Sequence, residues 1–423
     1  MKRTFVSIIF ILTLRLIIAQ TSQETEREKG WQGDIDTLLS LMKRQHYVYK
    51  SKPFPAELLT RAARLKETVN RLSDERLVFE LEKLMYYMHD GHSYVLPFTT
   101  KRGPTYYLPI QFYLFNDGVF IIDAAERYKQ LIGYKVQQIN GIDVDTVIND
   151  MNSYIHQDNA YTVKWFAPTF MRFRGVYEMY GLPASSPAIG LRLIDRKNTS
   201  VLQTIEFEPV TSLQGIPKLI PSQLDNAPPA PKYLSQISKN YWLEYRPDMN
   251  MLYVQFNQVE NDRKESLSDF SKRLDSALSA GKPRLFVIDV RNNNGGNKML
   301  LRPLIDVIKR YGAENRSTRT IVITGRNTFS AAQVFISLLN KETNVVFAGE
   351  PSASSPNFVG EEGNMFLLPW SGAIGNISWR YHENIPGDTR KWIEPDFTII
   401  LSSKEYFENR DPVMEYIRKQ FVH

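Results

Sequence analysis

Two predicted strand-to-helix turns in the C-terminal half of the chain contain residue types suited to forming and stabilising an oxyanion. The first, residues 289–297 (DVRNNNGGN), follows an apolar segment and includes Gly295 and Gly296. Adjacent glycines permit backbone angles that leave N–H groups pointing outward, and such a nest can hold an anion or a developing oxyanion. The alternative is an ordinary loop with two permissive residues, which this segment alone does not distinguish.

The second turn, residues 325–333 (GRNTFSAAQ), places Ser330 at the start of the next predicted helix. A serine there exposes its Oγ at the edge of the sheet, with the following N–H free and the helix dipole favouring negative charge. The alternative is an N-cap, the usual role of a serine before a helix. The small residues Ala331 and Ala332 indicate that another group approaches closely, which a plain cap does not require. Ser330 is therefore the candidate nucleophile.

A serine nucleophile needs a general base, and the chain has only six histidines. His423 is the last residue, and His46 and His156 lie in polar stretches that we expect to be exposed. His382 follows a strand-like segment and is the fallback.

The other two, His89 and His92, lie where a predicted helix ends. Their i, i+3 spacing is compatible with a metal pair, but no third ligand clusters nearby, so we predict no metal site. A capping or cationic role at the helix end explains His89. His92, just past Gly91, is placed to reach another part of the molecule and is the predicted base.

The composition excludes several other kinds of chemistry. The net charge of the 423 residues is +6, but the first twenty contain three basic residues and no acid, which leaves +3 for the rest. So small and dispersed a charge does not form the basic face that nucleic acids require, and no nucleic-acid partner is predicted. The absence of cysteine excludes disulfides, thiolate zinc sites and cysteine nucleophiles.

Residues 1–20 are predicted to be a secretory signal peptide. A basic start precedes an apolar run from Phe5 to Ala19, followed by polar residues. The run is shorter than the ~20 residues that span a bilayer, while Arg15 inside it opposes both a signal and an anchor. We expect cleavage near Ala19 and an exported protein, periplasmic or extracellular, with no transmembrane segment in the mature chain. Association with a membrane surface stays open.

The pattern along the chain predicts an α/β fold in several units. Residues 25–92 form an N-terminal helical unit, residues 93–208 a β-rich module and residues 209–240 a linker rich in proline and serine. From residue 241 to residue 423, short apolar strands alternate with helices. This alternation is typical of a parallel sheet that is buried on both faces.

Together these segments resemble the tail-specific (C-terminal-processing) and tricorn-core family of serine peptidases. The resemblance covers about residues 77–397, and its most specific parts are DGHS at 90–93, DVRNNNGG at 289–296 and NTFSAA at 327–332. Weaker matches are IGYKVQQING at 132–141, which is similar to a PDZ signature, GEP at 349–351 and WIEPD at 392–396.

The resemblance implies a Clp-protease/crotonase-like catalytic domain, a PDZ-like module and Ser330 as the nucleophile. The oxyanion hole would use the N–H of Ala331 and that of Gly295 or Gly296. No metal or organic cofactor is implied. The PDZ-like module departs from the pattern, because its strand-entry segment, residues 108–112 (LPIQF), has no glycine and contains a proline.

The family has two branches that differ in the base. One uses a lysine after the nucleophile helix, but no lysine occurs between Lys341 and Lys391, which argues against a Ser–Lys dyad. The other takes its histidine from the motif at 90–93, which makes His92 the general base.

An acid near the closing segment then orients the imidazole. Asp388 is our choice, and Glu394 and Asp396 are the competitors. The sequence thus predicts an exported serine endopeptidase that hydrolyses polypeptides. The alternative is a non-catalytic protein on the same fold that binds a peptide or an apolar ligand. Assembly into a homo-oligomer stays open.

Overall fold

The computed structural model describes residues 26–97, 100–210, 219–225, 227–361 and 363–422. The predicted signal segment, residues 1–20, and His423 lie outside these residues. The α-helices of the described residues are α1 (26–45), α2 (Ala56–Thr68), α3 (Asp74–Met85), α4 (Val144–Met151), α5 (Ala160–Phe170), α6 (Arg174–Tyr177), α7 (Lys232–Ser235), α8 (Leu267–Gly281), α9 (Arg302–Glu314), α10 (Ala331–Glu342), α11 (Ser403–Phe407) and α12 (Pro412–Phe421). The β-strands are β1 (Tyr94–Val95), β2 (Tyr106–Tyr107), β3 (Ile110–Phe115), β4 (Gly118–Ala124), β5 (Lys135–Ile139), β6 (Ile142–Asp143), β7 (Ala188–Ile194), β8 (Ser200–Glu206), β9 (Glu208–Pro209), β10 (Tyr241–Arg246), β11 (Met251–Phe256), β12 (Leu285–Asp289), β13 (Arg319–Thr324), β14 (Val346–Gly349), β15 (Phe358–Gly360), β16 (Met365–Leu367), β17 (Ile374–Asn376), β18 (Arg380–His382) and β19 (Phe397–Thr398).

A six-stranded sheet lies at the centre of the C-terminal half. Its order is β10-β11-β12-β13-β14-β19; β10 is antiparallel to β11 and the other neighbours are parallel. Every side chain of β11 and β12 is buried, because α8, α9 and α10 pack on one face and α12 packs on the other. This agrees with the continuous apolar runs in the sequence. The turns after β12 and β13 meet at one edge of the sheet, because the two strands are parallel neighbours.

A second, antiparallel sheet has the order β3-β4-β5-β7-β8, with β6 paired to β5. The hairpin between β3 and β4 forms at the predicted Asn-Asp-Gly turn, with Phe115 paired to Gly118. Buried residues of β3, β4, β5 and β7 share one core with α4, α5 and α6. The helices therefore cover one face of this sheet.

The N-terminal helices share their core with a segment from the other end of the chain. Strands β1, β17 and β16 form a small sheet, and Phe366 and Leu368 pack in one cluster with Trp31 and Leu38 of α1. The carboxylate of Asp34 accepts hydrogen bonds from two backbone N–H groups of the same C-terminal segment. This packing holds the end of the helical region beside the C-terminal half.

Helix α5 was not predicted from the sequence, because its residues (AYTVKWFAPTF) are rich in β-branched and aromatic types and include Pro168. A capping box between Asn159 and Thr162 starts the helix, and burial of side chains such as Trp165 stabilises it. Pro168 has no N–H for the carbonyl of Lys164.

The freed carbonyl of Lys164 accepts a hydrogen bond from Arg326 Nη1 at 3.2 Å. Arg326 is buried in the turn after β13, and its guanidinium donates to both carboxylate oxygens of Glu350 at 2.8 Å and to the carbonyl of Leu114. A bidentate pair of this kind is geometrically specific. Arg326 thus joins both sheets and α5 next to the turn that contains Ser330.

We expect Arg326→Met to lower the free energy of unfolding by about 3–5 kcal/mol, because Glu350 is left buried without its partner. The double variant Arg326→Met/Glu350→Met should lose less than the single variant. The control is Arg302→Gln. The side chain of Arg302, which pairs with Asp306 and Glu342, is about half exposed, so the expected loss is ~1 kcal/mol or less. Urea denaturation followed by tryptophan fluorescence measures all three. Equal losses in Arg326→Met and Arg302→Gln would contradict the account.

Candidate active site

Ser330 lies in a strained turn between β13 and α10. Its backbone angles are φ 55° and ψ −123°, a region that residues other than glycine rarely occupy. Its side chain makes no capping hydrogen bond to α10, although it stands at the N-cap position. The structure therefore does not support the N-cap alternative, and the Oγ is available for another role.

Both glycines are closely packed, Gly295 against this turn and Gly296 against the segment after β11. Gly295 has φ 109°, and a Cβ added to it would lie 2.6 Å from the Cβ of Ser330. Gly296 has φ 129°, and a Cβ there would lie 2.4 Å from the carbonyl oxygen of Val259. A larger residue at 295 would push the two turns apart, and one at 296 would push the first turn away from the segment after β11, so both positions need glycine.

The two glycine N–H groups differ in availability. Gly295 donates its N–H to Asn293 Oδ1 at 3.0 Å. Among the described residues, no hydrogen bond uses the N–H of Gly296 or that of Ala331. Of the two glycines, therefore, only Gly296 has a free N–H group, as Ala331 also does.

His92 lies on a loop that the buried carboxylate of Asp90 organises. Asp90 accepts hydrogen bonds from the N–H groups of His92 and Ser93 at 2.8 and 2.6 Å. It also accepts from the hydroxyls of Ser93 and Ser378 at 2.8 and 3.0 Å. His46 Nε2 lies 3.0 Å from Asp90 Oδ2. These contacts fix the backbone of His92 although the segments that provide them are far apart in the sequence.

The imidazole of His92 lies between the rings of Phe329 and Phe358, with centroid distances of 4.4 and 5.3 Å. Both ring nitrogens are buried and lack a hydrogen-bond partner among the described residues. Burial lowers the pKa of His92 to about 4, although Asp90 acts in the opposite direction. The imidazole is thus neutral at neutral pH, as a general base must be.

His92 and Ser330 line the same cavity, whose volume is about 620 Å³. No hydrogen bond of the described residues joins the two side chains. Gly296 and Ala331, whose N–H groups are free, line this cavity as well. The structure therefore brings together the predicted nucleophile, base and oxyanion donors around one space.

The cavity lining also includes a charged cluster around His382, whose ring stacks on Phe358 at 4.9 Å between centroids. Lys298 Nζ lies 2.6 Å from His382 Nδ1, and Glu361 lies 3.3 Å from His382 Nε2. Burial and the charge of Lys298 lower the pKa of His382 to about 4. Because both of its nitrogens are engaged, His382 is poorly placed to take a proton from Ser330. A lysine does enter the cavity, but from the glycine-containing turn and not from the segment after α10.

The three acids considered from the sequence have other partners. Asp388 accepts hydrogen bonds from the backbone and guanidinium of Arg390, which hold the pKa of its carboxyl below the usual value. Glu394 accepts from the indole of Trp392 at 2.6 Å, and Asp396 accepts from a backbone N–H of β14 at 2.8 Å. Among the described residues, the cavity lining includes none of the three.

Sequence reasoning missed Glu361, an acid that does line the cavity. Besides His382, it contacts Lys298 and Arg380, each at 3.5 Å. Its φ is 78°, a backbone angle that is unusual for glutamate. The only sequence signal was its place between Gly360 and Gly363.

The expectation that His46 and His156 are exposed was wrong. His46 is fully buried against Asp90, and His156 Nδ1 lies 2.6 Å from the buried carboxylate of Glu82. Each histidine pairs with an acid distant in the chain, so the polar residues around it in the sequence did not reveal its burial. Within the described ranges, no group of three potential ligands is arranged for a metal ion, and no helix is long and apolar enough to span a membrane.

We expect Gly295→Ala to destabilise the protein for two reasons. The added methyl group overlaps the Cβ of Ser330, and an alanine would have to adopt φ 109°, which is unfavourable for any residue with a Cβ. Gly312, in helix α9, is the matched control: nothing lies within 4 Å of a Cβ placed there. Gly312→Ala should stabilise by up to about 1 kcal/mol. Thermal unfolding measures both variants, and a Gly295→Ala midpoint at or above the native one would contradict this packing.

Comparison with solved structures shows the fold. Mature CPAF in complex with lactacystin is 13% identical over 93% of this chain and 97% of that chain, with a TM-score of 0.63. A CPAF mutant is 13% identical over 93% and 96% of the two chains, with a TM-score of 0.64. The tricorn protease is 14% identical over 93% of this chain and 36% of that chain, with a TM-score of only 0.40.

No family model and no curated protein matches the sequence. The likeness to solved structures at these identities concerns the fold. The chain is similar to CPAF over nearly its whole length, and solved peptidases of the C-terminal-processing and tricorn types are among its other matches. The chain thus has a mixed α/β fold that resembles the fold of CPAF.

Proposed function

We propose that the protein is an exported serine endopeptidase that cleaves polypeptides through Ser330 and His92. One observation carries the proposal: a strained serine that caps nothing shares a cavity with a neutral histidine whose ring nitrogens are unpartnered. Two free N–H groups, of Gly296 and Ala331, stand beside the serine. These are the parts that acyl transfer requires.

In the proposed reaction, a ring nitrogen of His92 takes the Oγ proton as Ser330 attacks the substrate carbonyl. The negative charge on the carbonyl oxygen rests on the N–H groups of Gly296 and Ala331, and His92 then gives its proton to the leaving amine. In the second half of the reaction, His92 takes a proton from water as the water attacks the acyl-enzyme, and it then returns the proton to Ser330 Oγ as the acid product leaves. Because no hydrogen bond joins His92 to Ser330 before substrate binds, the two side chains must approach within about 2.6–3.2 Å.

The third member of the site is an acid that supports the imidazolium. Asp388 is the sequence-based candidate, but it is bound to Arg390 and lies outside the cavity lining. The charge of Asp90 favours the protonated form of His92 more than that of Glu361 does, but of the two only Glu361 lines the cavity. We therefore propose Glu361 for this role. The antiparallel sheet would serve as the PDZ-like module that presents the polypeptide.

A non-catalytic peptide-binding protein is the second candidate function. The missing hydrogen bond between His92 and Ser330 favours it, since a binding protein does not need that contact. The CPAF structures do not decide between the two, because a shared fold does not imply a shared activity.

A fluorophosphonate probe tests the proposed activity. Native protein should be labelled at Ser330, Ser330→Ala should not be labelled, and His92→Ala should be labelled at least about 100-fold more slowly. Lactacystin, which is bound to CPAF in one solved structure, serves as a second probe. Native protein that stays unlabelled while it binds peptides would support the binding function.

Glu361→Gln should lower kcat/KM for a peptide substrate by at least roughly tenfold, because the imidazolium loses a nearby negative charge. Asp388→Asn is the matched control and should stay within about twofold of the native value, since Asp388 lies outside the cavity. Thermal unfolding of both variants separates lost activity from lost fold. The reverse result would restore Asp388 as the third member.

A further inference from the structure

We infer that Asp158 is a positioning residue that couples the loop of His92 to the turn of Ser330, an inference that rests on the proposed function. Asp158 lies just before α5, and its carboxyl group stands between the N–H of Gly91 and the hydroxyl of Ser354. The reaction proposed above does not use it. It is placed to transmit a displacement of one catalytic segment to the other.

The first contact is with the histidine loop. Asp158 Oδ1 accepts the N–H of Gly91 at 2.8 Å, one residue before His92. A Cβ on Gly91 would lie 2.9 Å from the ring of Phe329 and 3.4 Å from Asp158 Cγ. The loop is therefore packed between Asp158 and the residue that precedes Ser330.

The second contact leads to the serine turn. The carboxyl group lies beside Ser354, whose Oγ is 3.5 Å from the N–H of Ser330. The second carboxyl oxygen, Oδ2, is buried and has no hydrogen-bond partner among the described residues. If it carries a proton, it can donate to Ser354 Oγ while Oδ1 keeps the N–H of Gly91.

The start of α5 is fixed against the same loop. Asn159 Nδ2 donates to the carbonyls of Ser352 and Lys391 at 3.1 and 2.8 Å. Thr162 Oγ1 donates to the carbonyl of Ala353 at 2.6 Å. These bonds hold the backbone next to Asp158 against the segment that contains Ser354.

The charges around Asp158 favour its protonated form. Burial and then repulsion by Asp90 raise the pKa of Asp158 to about 7, while the N–H of Gly91, the Ser354 hydroxyl and His156 act in the opposite direction. The segment 352–355 carries no charged side chain. Ionisation above pH 7 places a second negative charge near Asp90 and reverses the bond to Ser354, whose hydroxyl must then donate to the carboxylate instead of accepting from the carboxyl group. Reactivity of Ser330 should therefore fall as the pH rises through about 7.

The first test is the rate of fluorophosphonate labelling of Ser330 between pH 5 and pH 9 in the full chain. Native protein should show the decline near pH 7, and Asp158→Asn should lack it, because its amide keeps the neutral hydrogen-bond pattern at every pH. Asp158→Ala should label at least about tenfold more slowly at every pH, because both links are lost. Asp143→Asn, which alters the exposed N-cap of α4, should behave like the native protein. An unchanged decline in Asp158→Asn, or native rates in Asp158→Ala, would overturn the inference.

The second test is independent of catalysis. Mass spectrometry measures the rate of backbone hydrogen exchange in the peptides that contain Gly91 and Ser330. The rate should rise in both peptides of Asp158→Ala and in neither peptide of Asp143→Asn. Unchanged exchange in both peptides overturns the coupling whether or not Ser330 is labelled. Increased exchange in a protein that is never labelled supports the coupling and rejects the peptidase proposal.

Discussion

The buried carboxylate of Asp90 is the contact on which the rest of the site depends. It gathers hydrogen bonds from the backbone of the His92 loop, from His46 and from Ser378. Burial raises its pKa, but the contacts of His46 and Ser93 outweigh burial, so the net pKa lies below the usual value. The group therefore stays charged inside the protein, which requires that all these partners remain in place. Together with the bond from the Gly91 N–H to Asp158, it fixes a loop from the first hundred residues beside a serine more than two hundred residues later.

The serine side of the site depends on the sheet. Parallel pairing of β12 and β13 brings their turns together, and Phe329 N–H donates to the carbonyl of Asn293 at 3.0 Å across the junction. Gly295 lets the turns approach until only a hydrogen atom fits between them. The unfavourable φ of Ser330 persists because this packing leaves the turn no alternative. The packing of the α/β layer thus offsets the backbone strain at Ser330.

The sequence was most informative where local signals and fold agree. Continuous apolar strands mark where the turns begin, and paired glycines mark a close approach, so Ser330 and the glycine nest could be found. His92 was reached by elimination among six histidines and by the resemblance of its motif. It does line the cavity of Ser330.

Other parts of the site depend on contacts that no local pattern records. Helix α5 has an unfavourable composition and exists because capping and burial compensate for Pro168. Glu361 directly follows β15, which pairs with β18, the strand that carries His382, and this long-range pairing brings Glu361 to its contact with His382. The choice of Asp388 rested on its position along the chain. Its neighbour Arg390, two residues away, holds it outside the cavity lining.

The central claim is that Ser330 forms a covalent acyl intermediate. Intact-mass analysis of the full chain, quenched in acid within seconds of mixing with a peptide ester, tests this most directly. The account predicts a mass increase equal to the acyl group, located on the peptide that contains Ser330 and absent in Ser330→Ala. Turnover of the ester without any adduct, or an adduct on another residue, would contradict it.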